Sequence, residues 1–178
     1  MNEQQTSREE RFVAFVLKRS QEDTGFAARL RRADNPDTEY QSWDTLAAFG
    51  VNLEQDAERL PFALVGAALC RIKPERDGTA SLGMALRSCF EDTEQGAVRL
   101  RRLLACDSSE EACRIVRPML TLIAAKTRKP LNFARLLKEL LRFGGSVSER
   151  IKIRWAQDFY RNQEDGAEAK TPDAGETA

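Results

Sequence analysis

Apolar residues recur at helical spacing along almost the whole chain, and this periodicity constrains the fold more than any other feature. The clearest stripe consists of Phe133, Leu136, Leu137, Leu140 and Leu141. These positions, at i, i+3, i+4, i+7 and i+8, form one face of an α-helix, and Gly144-Gly145 then supplies a left-handed stop. Alternating β-branched runs and Asn-Gly hairpin signals are lacking. The sequence therefore predicts an all-α fold, a compact bundle of about eight to nine helices with no sheet.

Three capping boxes mark helix starts, each with a serine that caps an amide and a glutamate three residues later that reaches back. They are Ser7 to Glu10, Ser108 to Glu111 and Ser146 to Glu149. Pro118 should kink or split the helix that starts at Ser108, because proline removes an amide donor. Further helices are predicted over 24–33, 38–49, 56–72, 80–90, 94–106 and 132–143.

The length of 178 residues suits one domain rather than two. We expect a single helical domain over 7–162, with a disordered N-terminus over 1–6. Residues 163–178 contain no large apolar residue and are expected to form a disordered acidic tail.

Histidine is absent from the sequence, which excludes histidine triads, histidine general bases and histidine metal ligands. The polar amino terminus does not resemble a signal peptide, and no apolar run reaches the ~20 residues of a membrane span. We therefore expect a soluble, cytoplasmic protein with no membrane partner.

The four cysteines contain no CxxC pair and lie within or beside apolar helical stretches; they are Cys70, Cys89, Cys106 and Cys113. Buried thiols fit this placement better than a zinc site, whose ligands are usually paired. We expect no metal and no cofactor.

P-loop and GxGxxG motifs are also lacking, so no enzymatic activity is expected. A hydrolase that uses carboxylates or Cys106 is the alternative of that class.

The formal net charge of zero results from cancellation between segments. Residues 1–93 carry −4, residues 94–162 carry +8 and residues 163–178 carry −4. The excess of basic residues over 94–162 is mostly arginine, whose planar guanidinium binds phosphate oxygens in pairs. This segment therefore suits a phosphate-rich partner.

Several basic groups stand out, although each also fits the solvated face of an amphipathic helix. Grouping by charge alone selects Arg31, Arg102, Lys126 and Arg128 as candidate nucleic-acid contacts. On the last helix Arg150, Arg154 and Arg161 cluster, and Asp158 is a candidate partner for Arg154. Aromatic residues at core spacings are interpreted as packing rather than as base-stacking platforms; they are Trp43, Phe49, Phe133, Trp155 and Phe159.

Five segments together resemble the CasB family, the small subunit of the type I-E CRISPR surveillance complex called Cascade, over about residues 12–160. The matching pieces are Asp23-Thr24-Gly25 with Ala28 to Arg32, Ser81-Leu82-Gly83 with Ala85-Leu86, Arg99 to Leu104, Leu131 to Leu137, and Arg150-Ile151-Lys152 with Trp155 to Tyr160. Each piece is an ordinary helix fragment, so the resemblance rests on their order and spacing.

The resemblance implies a non-catalytic, all-helical subunit, present as two copies in a ribonucleoprotein with guide RNA and other CRISPR-associated subunits. It also implies a basic surface that faces the target and displaced DNA strands of the R-loop. By position, the residues that match basic sites of the family are Arg32, Arg99, Arg117, Arg150 and Lys152, with Arg59 a less close match.

The functional hypothesis is that this basic surface neutralises phosphates, while guide–target pairing reads the sequence. The alternative is a helical protein–protein scaffold whose arginine faces dock acidic partner subunits without direct nucleic-acid contact.

Overall fold

The computed structural model describes residues 6–127 and 129–161. Within that part of the chain nine α-helices and one short 3-10 helix are present and no strand, which confirms the all-α prediction. The helices are α1 (Arg8–Glu22), α2 (Thr24–Leu30), α3 (Trp43–Ala48), α4 (Asp56–Ile72), α5 (Leu82–Arg87), α6 (Thr93–Leu104), α7 (Ser109–Lys126), α8 (Phe133–Leu141) and α9 (Ser148–Arg161); the 3-10 helix (Glu39–Ser42) precedes α3.

Helix α4 lies at the centre of the bundle. All ten residues from Pro61 to Cys70 are buried, because α1, α2, α7 and α8 all pack against this helix. A helix that is apolar all round is one enclosed by its neighbours. The buried residues of all nine helices join into one hydrophobic cluster, with Phe12, Phe62, Trp155 and Phe159 among its largest members.

Helices α5 and α9 pack closely because a glycine lies at their crossing. A Cβ built on Gly83 would stand 2.2 Å from the carbonyl oxygen of Trp155, so any side chain there would collide with the backbone of α9. This contact fixes the position of α9 on the bundle, and with it the arginines that α9 carries.

The three capping boxes have different outcomes. Ser7 and Glu10 form the complete box at α1. Ser108 caps α7 through the amide of Glu111, but the Glu111 side chain accepts from the Asp107 amide instead. Helix α9 begins at Ser148, one residue later than the third box implies. There Ser148 Oγ accepts from the Gly144 amide and donates to the Gly145 carbonyl.

Pro118 does not split α7, which continues to Lys126. Pro118 is exposed, so the carbonyl that loses its helical partner can be hydrated. The predicted segment 56–72 is confirmed to the residue, whereas the segment 38–49 divides into the 3-10 helix and α3.

The disorder predicted for 1–6 and 163–178 falls outside the described residues, apart from Thr6, which is exposed and has no regular structure. Among residues 6–127 and 129–161, none of the helices combines the length and the apolar character that crossing a bilayer requires.

Candidate nucleic-acid interface

Helix α6 presents two of the predicted arginines outward. Ala97, Leu100 and Leu103 are buried on its inner side, which leaves Arg99 and Arg102, one turn apart, exposed on the outer side. The Arg99 guanidinium stands over the Phe90 ring, 5.0 Å from its centroid. The Lys126 ammonium lies 5.5 Å from the same centroid.

We call Arg99, Arg102 and Lys126 the Phe90 patch. Lys126 reaches it because the ends of α5 and α7 are tied together by a hydrogen bond between the hydroxyls of Ser88 and Thr127, at 2.6 Å. Arg87 Nη1 donates to the Phe90 carbonyl at 2.6 Å and fixes the backbone that carries the ring. The fold thus brings the last residue of α7 to the outer side of α6, the helix that precedes it in the chain.

The charges of the Phe90 patch are not neutralised within the described residues, where none of its three cations forms an ion pair with an acid. The neighbouring Arg101 differs, since it lies 3.2 Å from Glu94. Unpaired like charges on an exposed surface create a positive potential that attracts phosphate.

A second group of predicted residues lies at the end of α2. Arg31 and Arg32 are exposed there, and Arg32 donates to Gln41 at 3.4 Å. Arg117 of α7 is half-exposed, but its Nε lies 3.5 Å from the nearly buried carboxylate of Asp34, which Arg71 also binds through both oxygens. Arg117 is therefore partly neutralised.

Two other predicted residues are engaged within the chain itself. The Arg59 side chain is only 16% exposed; it donates to the Leu53 carbonyl and to Asp56, at 2.6 Å, and forms an ion pair with Glu39 at 3.4 Å.

The Lys152 side chain is 13% exposed and lies near Glu149, at 3.5 Å, and Asp107, at 3.8 Å. Because their charges are already matched, we give Arg59 and Lys152 no part in the proposed interface. The predicted Arg128 lies outside the described residues.

A cleft of about 540 Å³ between α8 and α9 contains Arg150, the remaining predicted residue. Four further cations line it that the sequence reasoning did not select as contacts: Arg135, Lys138, Arg142 and Arg154. Asp158 pairs with Arg135 at 3.0 Å and not with Arg154, which instead lies 3.7 Å from Glu139. In the sequence, the i, i+4 spacing of Lys138 with Arg142, and of Arg150 with Arg154, indicates that each pair shares one helix face.

The aromatic prediction needs one correction. Phe133, Trp155 and Phe159 are buried and Phe49 is partly buried against the core, but Trp43 is 40% exposed. Trp43 follows the short 3-10 helix at the surface, where the bundle does not cover it.

The cysteines are all buried free thiols. Burial raises the pKa of Cys70 to about 11 and that of Cys113 to about 12, and it also raises the pKa of Cys106. A raised pKa lowers the thiolate fraction on which reactivity depends, so these thiols are not activated nucleophiles. No cluster of three or more cysteine or carboxylate groups suited to a metal ion occurs among the described residues.

A family model described as CRISPR-associated protein Cse2 matches residues 27–160 of this chain. None of the proteins with curated functions matches the sequence.

Several solved structures share the fold. CasB from Thermus thermophilus is 26% identical, with 87% of this chain and 99% of that chain covered and a TM-score of 0.65. CasB from M. ruber is 23% identical, with 94% and 100% covered and a TM-score of 0.73. A chain of a CRISPR RNA-guided surveillance complex is 20% identical, with 92% and 98% covered and a TM-score of 0.72.

Proposed function

This chain belongs to the CRISPR-associated Cse2 family, and from that membership we propose that it is a non-catalytic subunit of an RNA-guided surveillance complex that contacts nucleic-acid backbone. The resemblance to CasB is confirmed by the family match and by the shared fold. In this proposal the subunit works in the cytoplasm, beside guide RNA, other CRISPR-associated subunits and a second copy of itself.

The Phe90 patch is the observation that carries the nucleic-acid part of the proposal. Its cations are exposed, grouped by the fold and unpaired within residues 6–127 and 129–161. By contrast, Arg101 and Arg114 on the same two helices form ion pairs with Glu94 and Glu110. Three exposed cations that form no ion pair within the described residues suit an anionic partner.

The proposed role is electrostatic and independent of sequence. Guide–target pairing replaces one duplex with another of similar stability, so a few phosphate contacts to a separated strand are enough to shift the balance. The Phe90 patch contributes such contacts, with Arg31 and Arg32 as a second group at the end of α2. Base recognition is left to the guide RNA.

The test uses the complex assembled with partner subunits and guide RNA. Arg99→Glu with Arg102→Glu should weaken target-DNA binding by tenfold or more. Because each lost single-strand phosphate contact removes about 0.7 from the slope of log affinity against log salt, the slope should become shallower by about 1.4.

The matched control is Arg19→Glu with Arg114→Glu, which makes the same charge change at exposed arginines outside the patch. Unchanged target binding and an unchanged salt slope in the patch variant would overturn the proposal. If instead the patch variant fails to assemble with its partner subunits while the control assembles, the arginines dock acidic protein surfaces and the scaffold alternative holds.

A further inference from the structure

Helices α8 and α9 run antiparallel, and their facing side chains meet in successive layers. Arg135 bonds Asp158 at 3.0 Å, and one turn further along α8 Glu139 bonds Trp155 at 2.6 Å. The next layer toward the connecting turn contains Arg142 of α8 and Arg150 of α9, which both line the cleft between the helices.

The acids that line this cleft are already occupied. Asp77 accepts from three backbone amides, those of Gly78, Phe133 and Ala134. Glu10 accepts from the Ser7 amide at 2.8 Å as part of the α1 cap.

The third acid, Glu139, is 6% exposed, and its two oxygens bond Arg135 and Trp155. These contacts leave little carboxylate capacity for the other cations of the cleft.

The cations, by contrast, are in excess. Lys138, Arg142 and Arg150 form no ion pair with any described residue, and Arg154 has only the 3.7 Å contact to Glu139. Like charges that share a recess reinforce one another's potential, because the low-dielectric walls focus the field. An anion placed among them would relieve this repulsion.

We propose that the α8–α9 cleft binds a backbone phosphodiester of a single nucleic-acid strand, through Arg142, Arg150 and Arg154 with Lys138 at its side. This inference rests on the proposed function and adds a binding site distinct from the Phe90 patch. Three of the four cations are arginines, whose forked donors suit phosphate oxygens. The cleft presents no exposed aromatic ring, so it binds the backbone and not the bases.

Glu139 has a positioning role in this site. It holds Arg135 and Arg154 on the cleft wall without opening to solvent itself. A guanidinium that is held in place loses less conformational freedom when it binds. The cleft is therefore partly organised before the strand arrives.

The experiment measures the full chain alone against fluorescein-labelled decathymidylate by fluorescence anisotropy at several salt concentrations. Arg142→Gln with Arg150→Gln should weaken binding by tenfold or more and make the salt slope shallower by about 1.4. The control, Arg19→Gln with Arg114→Gln, should bind as the unchanged chain does. Arg99→Gln with Arg102→Gln, measured in parallel, reports on the Phe90 patch.

The outcomes separate the two proposals. If the cleft variant binds like the control while the patch variant is weakened, the cleft inference is wrong and the proposed function stands. If the unchanged chain does not bind decathymidylate, the cleft inference fails, and target binding by the assembled complex still decides the proposed function.

Titration with inorganic phosphate alone tests whether the cleft binds a small phosphate ligand instead of a nucleic-acid strand. Saturable binding of phosphate to the cleft at lower concentration than decathymidylate, abolished by Arg142→Gln with Arg150→Gln, would assign the site to a small ligand and overturn the proposal.

Discussion

Glu139 Oε2 accepts a hydrogen bond from Trp155 Nε1 at 2.6 Å, and both side chains are buried. The other carboxylate oxygen, Oε1, accepts from Arg135 Nε at 2.9 Å. A carboxylate removed from water is tolerated only where such partners replace its hydration. The pair therefore joins α8 to α9 at the floor of the basic cleft.

Trp155→Phe should lower the free energy of unfolding by about 2–3 kcal/mol, because it removes buried volume and leaves Glu139 Oε2 without its donor. Urea unfolding followed by far-UV circular dichroism measures this loss. The matched control is Trp43→Phe, at a site that is 40% exposed, where we expect a change within about 0.5 kcal/mol. Equal losses in the two variants would contradict the account.

Gly83→Ala should destabilise the protein, although alanine normally favours a helix over glycine by about 1 kcal/mol. The new Cβ would stand 2.2 Å from the Trp155 carbonyl oxygen, so α5 and α9 must separate, at a cost of about 1–3 kcal/mol. Gly145→Ala is the control, since nothing lies within 4 Å of a Cβ there. A thermal midpoint that rises in Gly83→Ala would show that the close approach is absent.

Asp77→Asn should cost about 1–2 kcal/mol, because the Asp77 carboxylate caps the amino end of α8 from a remote loop. Burial raises the pKa of the Asp77 carboxyl above its ordinary value of 3.8. The folded chain then keeps this proton to higher pH than the unfolded chain, so the contribution of Asp77 to stability falls as pH rises from about 3.8 through the raised pKa.

Asparagine does not titrate, and the stability gap between wild type and Asp77→Asn should therefore narrow over that interval and be constant above it. Urea midpoints measured between pH 4 and pH 7 test the sign. Asp37→Asn, in an exposed loop, controls for the loss of one negative charge. A gap that widens with rising pH would contradict the assigned direction.

The thiols should be nearly inert in the folded protein. All four cysteines are buried, and burial raises the pKa of Cys113 to about 12, so reaction with Ellman's reagent at pH 8 should be slow. In guanidinium chloride all four thiols should react. Rapid modification of Cys106 in the native state would revive the nucleophile hypothesis.

Local sequence signals predicted most of the fold. The apolar stripes located α4 and α8 because helical periodicity depends only on which residues must be buried. The capping box at Ser7 formed with both of the contacts that its spacing predicts. At Ser108 the glutamate turned to the Asp107 amide, a choice between adjacent donors that spacing alone does not decide.

The candidate site was harder to predict, since it depends on contacts between distant segments. Arg59 looked available in sequence, yet Glu39, twenty residues earlier, lies beside it in the fold. Lys126 and Arg99 come together at the Phe90 ring, a contact that their positions in the sequence do not reveal. The α8–α9 cleft required the antiparallel pairing of two helices, which composition and periodicity do not specify.

Photochemical cross-linking in the assembled complex tests the central claim most directly. Target DNA carrying 4-thiothymidine, in the target strand in one sample and in the displaced strand in another, is irradiated after binding, and cross-linked peptides are identified by mass spectrometry. We expect peptides from this chain that contain Arg99, Arg102 or Lys126, with Arg142 and Arg150 where a strand enters the cleft. Cross-links confined to the partner subunits, with none to this chain from either strand, would contradict the account.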